Sequence, residues 1–215
     1  ILLKKDQNAE ETFKKAIQIN PKNQEGYSAL GTIYTKNGKN SEAIKILKRG
    51  LELFPSDPSL FNKLGLSYKN LGDTKKALLS FSKSKELDPK YALALMNLGF
   101  LFLDEKRFSE AKREFSEAQK LSGGEKAKDA LAFTEISLLV DKGDKFLVKG
   151  KIEEAIKEYS KAKVIMPNKP VVLNAYGRAY FVSKKYSDSE NSFKASLSID
   201  KNNIPALQGL VRLYS

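Results

Sequence analysis

Tyr27-Ser28-Ala29-Leu30-Gly31-Thr32-Ile33-Tyr34 decides the fold, because the chain says it again. Its skeleton is an apolar residue, a Leu-Gly pair and an aromatic. It returns as Phe61-x-x-Leu64-Gly65-x-x-Tyr68 and as Leu95-x-x-Leu98-Gly99-x-x-Phe102, 34 residues further on each time. A second signature trails each copy: Ala43-x-x-x-Leu47, Ala77-x-x-x-Phe81 and Ala111-x-x-x-Phe115. Pro55 and Pro89 close two of these units. Weaker copies follow in Phe146, Ala155, Tyr159, Ala162 and Pro167, and then in Leu173, Tyr176, Gly177, Tyr180 and Phe193. Ala9, Phe13, Ala16 and Pro21 form the second half of an earlier unit. A fixed period of this length marks stacked supersecondary units.

Apolar residues recur at three- and four-residue spacing in two runs per unit, which is the helical period. Gly38, Gly72 and Gly150 fall between the runs, where a left-handed cap ends the first helix. Pro55, Pro89 and Pro167 stop the second, because the residue before a proline is pushed out of the helical region. Gly31, Gly65 and Gly99 lie inside the first helix, where glycine costs about 1 kcal/mol against alanine. A cost repeated at one slot signals a steric need. The spacing suggests Ala43, Ala77 and Ala111 as the partners that come close. No unit can bury its apolar faces alone, so stability requires stacking.

These motifs resemble the tetratricopeptide repeat (TPR) family over nearly the whole chain. The resemblance implies an all-α solenoid of stacked antiparallel helix pairs, wound as a right-handed superhelix. The spacing fails once: Gly99 to Gly143 is 44 residues. The ten extra residues near 126–135 divide the chain into a first block, 1–125, with half a repeat and three full ones, and a second, 126–215, with an elongated first helix, two repeats and a terminal helix. They read either as a hinge or as a tolerated insertion. Lys142 stands in the Leu slot, so that face is expected to be uncovered or differently packed. Both ends read as cut, with Leu207, Leu210, Leu213 and Tyr214 of the last segment acting as a cap or as the open core of a continuing array.

Composition narrows the chemistry. The 215 residues are 41% hydrophobic and 30% charged, enough to bury a core. Cys and His are absent. That removes thiolate sites, the cysteine nucleophile, the Ser-His-Asp triad and the usual neutral-pH proton shuttle. No enzyme activity, metal or cofactor is expected. No run approaches the roughly 18 apolar residues of a membrane span, and Ile1-Leu2-Leu3-Lys4-Lys5 lacks the features of a signal peptide. A soluble chain is expected, in a cytoplasm or a periplasm. Its Lys-, Asn-, Ile- and Phe-rich usage points to an AT-rich bacterial source. The net charge of +12 comes from scattered lysines such as Lys45, Lys75 and Lys157, which reads as a solubilising surface and not as a specific nucleic-acid site.

In the family, first helices line a concave groove that holds a peptide or partner protein, which makes a protein-interaction scaffold the functional expectation. Transferred to this sequence, the groove slots include Asn62, Asn97 and Asn174, whose amides suit a peptide backbone. They include Leu66, Met96, Phe100 and Phe181 for apolar anchoring. Lys63, Arg178 and Arg212 offer charge selection. The family's two-carboxylate clamp would fall on Val140, Asp144, Ala175, Pro205 and Gly209, so capture of acidic chaperone C-termini is not expected. The alternative is self-assembly through exposed terminal helices into a dimer or filament.

Overall fold

A computed structural model describes the backbone of residues 2–215 and the side chains from Asn8 onward. The Ile1–Lys5 stretch, read above for a leader, lies outside the described side chains. Among the described residues there are twelve α-helices and no strand. They are α1 (Leu2–Ile19), α2 (Gln24–Lys36), α3 (Asn40–Leu53), α4 (Pro58–Asn70), α5 (Thr74–Leu87), α6 (Ala92–Asp104), α7 (Phe108–Ser122), α8 (Glu125–Val148), α9 (Ile152–Ile165), α10 (Pro170–Val182), α11 (Tyr186–Ile199) and α12 (Ile204–Tyr214). The most extensive pairings are the hairpins α2–α3, α4–α5, α6–α7 and α10–α11. The chain divides into two compact units, Ile1–Ala127 and Lys128–Ser215.

Local chemistry sets the helix ends. Asn23, Asp57, Asp73 and Asn203 cap α2, α4, α5 and α12 by accepting from backbone N–H groups two or three residues on. Pro58, Pro170 and Pro205 sit in first turns, where a missing N–H costs nothing. At the hairpin bends the chain turns left-handed: Gly38, Gly72 and Gly150 have φ of 74°, 78° and 72°. Two bends lack glycine, and Lys106 and Lys184 take φ 58° in its place.

The mid-helix glycines are notches. A Cβ on Gly65 would lie 2.6 Å from Phe81, and one on Gly99 would lie 2.5 Å from Phe115. The side chains that need the space are Leu47, Phe81 and Phe115, four residues beyond the alanines that the spacing suggests, and in the later repeats Tyr159 and Phe193. The alanines are fully buried as well, but the bulkier neighbour one turn on fills the notch. In the first unit the first helices α2, α4 and α6 pack on one another more closely than α3, α5 and α7 do. That places the first helices on the inner side of the curve within that unit. In the second unit, Ile136 and Val140 of α8 share one core with Ala155 and Tyr159 of α9 and Val172, Ala175 and Ala179 of α10.

Candidate functional site

First helices carry polar pairs that link one repeat to the next. In the first unit Lys63 Nζ donates to the backbone oxygen of Ser28 at 3.3 Å and to its hydroxyl. Asn97 Nδ2 donates to Asn62 Oδ1 at 2.8 Å. Lys69 pairs with Asp104 at 2.8 Å. Each pair joins residues 35 apart, one more than the repeat of 34. Burial pushes the Lys63 ammonium pKa down. Asn62 is buried and Asn97 half-buried. Met96 is buried, while Phe100 is half-buried with its ring edge-on to Phe115 at 5.0 Å. Leu66 is exposed on α4.

The second unit holds a tighter network. Arg178 Nη2 donates to both carboxylate oxygens of Asp144, at 2.7 and 2.8 Å. The Tyr159 hydroxyl donates to Asp144 Oδ1 at 2.6 Å. Burial raises the Tyr159 pKa first of all, and the Asp144 charge adds to it. Asn174 is buried and donates to Asn203 Oδ1, the same oxygen that caps Ala206 N–H. Its own Oδ1 is buried without a hydrogen-bond partner.

Beside this network lies a cavity of about 490 Å³. Leu147 and Val148 come from α8, Arg178, Phe181 and Val182 from α10, and Phe193 from α11. Pro205, Gln208, Gly209 and Arg212 of α12 complete the wall. Its size falls within the range of ligand pockets, about 300–1,000 Å³. Three of the sequence-predicted residues, Arg178, Phe181 and Arg212, meet here. Asn174 lies on α10 but not in the lining, and Asn62, Lys63, Leu66, Met96, Asn97 and Phe100 belong to α4 and α6. Arg178 is neutralised by Asp144, whereas the structure gives Arg212 no ion-pair partner among the described residues.

Sequence reasoning missed two buried acids. Glu114 accepts from Lys85 at 2.7 Å and Arg113 at 3.2 Å. Glu158 accepts from Lys161 at 2.8 Å and from Lys142 at 3.1 Å, so the lysine in the Leu slot turns outward to reach a carboxylate. Among the described residues no group of three or more His, Cys, Asp or Glu is placed to hold a metal, and no helix is long and apolar enough to cross a membrane.

Two tetratricopeptide repeat family models match the sequence, over residues 5–65 and 58–91. No curated protein matches it. Among solved structures the chain is similar to YrrB, a TPR protein with an unusual peptide-binding site, at TM-score 0.63 and 17% identity, covering 93% of this chain and 97% of that one. It is similar to a chain of the APC/C hetero-tetramer Cut9-Hcn1 at TM-score 0.58 and 20% identity, covering 99% of this chain and 40% of that one. It is also similar to TTC0263, a thermophilic TPR protein of Thermus thermophilus, at TM-score 0.56 and 20% identity, covering 85% of this chain and 93% of that one. At such identities the likeness is one of fold.

Proposed function

The chain is a tetratricopeptide repeat protein, and we propose that it serves as a non-catalytic scaffold whose groove along α8, α10 and α12 holds a segment of a partner protein. Proteins of this kind generally mediate protein–protein interactions. The observation that carries the reading is the cavity with an apolar wall of Leu147, Phe181, Val182 and Phe193 and the Arg212 guanidinium on its lining. An aliphatic or aromatic side chain fits against that wall, and a carboxylate of the same segment fits Arg212. Arg178, held by Asp144, supplies a fixed edge and not a second free cation. Along α4 and α6, Leu66 offers an apolar contact, and the amides of Asn62 and Asn97 keep donors beyond the bond they share. Met96 and Phe100 back that face, and Lys63 adds charge. The likeness to a structure with a peptide-binding site supports the reading by analogy of fold.

Selection of random peptides against the 215-residue chain tests it. The expected winners join a large apolar residue to Asp or Glu. Arg212→Glu is expected to turn that preference toward basic peptides, and Phe181→Asp to weaken binding about tenfold or more. Winners indifferent to both substitutions, or no winners at all, overturn the proposal.

A further inference from the structure

The residue after the notch glycine is Thr32 in α2, Leu66 in α4 and Phe100 in α6, but Asp144 in α8 and Arg178 in α10. The side chain that fills the notch changes at the same place. Leu47, Phe81, Phe115 and Phe193 are apolar throughout, whereas Tyr159 carries a hydroxyl. Three polar groups thus replace apolar ones at one spot, and they bind one another. The Tyr159 ring is fixed twice, in the Gly143 notch and by the Tyr176 ring edge-on at 5.9 Å. Its hydroxyl donates to Asp144 Oδ1 at 2.6 Å, and Asp144 takes Arg178 Nη2 on both oxygens, at 2.7 and 2.8 Å. One nitrogen makes both bonds. Nε and Nη1 of Arg178 carry the remaining N–H donors, and among the described residues no acceptor meets them. Arg178 is 38% exposed and lines the cavity, whereas Asp144 does not.

Such an arrangement favours a neutral acceptor over an anion. The free N–H groups remain strong donors because the guanidinium is charged. The pair as a whole has no net charge. A carboxylate drawn to Arg178 would come close to Asp144, and repulsion at that range offsets most of the attraction. A backbone carbonyl, or the amide oxygen of Asn or Gln, meets no such repulsion. A guanidinium already held along one edge also has less side-chain freedom to lose when a partner arrives.

We propose that Arg178 binds a neutral carbonyl oxygen of the partner segment, and that Asp144 is the positioning residue that sets this preference. The segment that the groove takes is therefore uncharged where it passes Arg178, contributing a backbone or side-chain amide oxygen there. Tyr159 supports the preference from behind, by keeping Asp144 turned toward the guanidinium. Arg178 meets a partner only in an occupied groove, so the assignment rests on that reading.

Peptides selected on the native chain from a random library serve as probes. Each is remade with its neutral residues replaced by Asp one at a time, and the affinities are measured on the native, Asp144→Asn and Asp144→Glu chains. Asn keeps the shape of Asp144 and an oxygen for its two partners while releasing the charge of Arg178. If Asp144→Asn loses the helical circular dichroism, Asp144→Ser takes its place. On the native chain no added Asp is expected to strengthen binding more than about threefold. On Asp144→Asn one position is expected to gain about tenfold or more, and on Asp144→Glu none. Adding Arg178→Gln to Asp144→Asn is expected to abolish the gain. An equal gain on the native chain, no gain on Asp144→Asn, or a gain that survives Arg178→Gln overturns the assignment. Binding that still weakens with Phe181→Asp then leaves the groove reading standing without it, whereas the absence of any binder removes both.

Discussion

Gly99 has no room for a methyl group, because the Phe115 ring already occupies that space. Gly99→Ala is expected to lower stability by about 1–3 kcal/mol, the usual cost of overpacking a core. Phe115→Leu in the same chain is expected to recover part of the loss, and a double-mutant cycle of urea midpoints measures the coupling. The opposite sign is expected at the bends. Lys106 and Lys184 pay for a left-handed backbone that glycine adopts freely, so Lys106→Gly and Lys184→Gly should each raise stability by about 0.5–1 kcal/mol. The notch was legible in the sequence, since a repeated mid-helix glycine announces a close approach, whereas the bends at Lys106 and Lys184 carry no glycine to mark them. Which residue came close was not. Ala-x-x-x-Phe recurs as a unit, and only the backbone separation shows that the ring, and not the alanine, fills the notch.

At the scale of the helix, the caps and prolines stand at the ends that the sequence marks, because their effects are local: Asp57 binds N–H groups two and three residues away. Glu158 is different. Nothing distinguishes it from Glu153 and Glu154 nearby until α8 brings Lys142 beside it. Its hydrogen bond from Lys161, with Lys142 adding to it, holds the carboxyl below its ordinary value of 4.5 against the opposing effect of burial. The folded state therefore binds this proton less tightly than the unfolded state does. The stability it confers is present above about pH 4.5 and lost as pH falls through the folded value. Thermal melts of the native chain from about pH 6 to about pH 3 are expected to fall more steeply than those of Glu158→Gln.

Over the whole chain, the period of 34 residues and the departure from it could be read from spacing alone. The site could be read only in part. Arg178, Phe181 and Arg212 line one cavity because successive first helices stand side by side, as the family pattern implies. The bond between Asn62 and Asn97 depends on how far one helix slides past the next, which composition does not encode. The chain divides into two compact units, so urea unfolding is expected to show two transitions. Gly99→Ala should shift one of them and Gly177→Ala the other; a single transition moved equally by both would show one cooperative block.

The polar rungs of the first unit have a bearing on engineering. Ser28 meets Lys63, and Asn62 meets Asn97, at the same stride. Splicing out residues 58–91, one full period, would bring Asn97 to the place Lys63 now holds. Ser28 would then face an amide in place of an ammonium, with a hydrogen bond still on offer. The Ser28 rung thus survives the loss of one whole module, whereas a cut one residue longer or shorter would mismatch the rung that spans the splice.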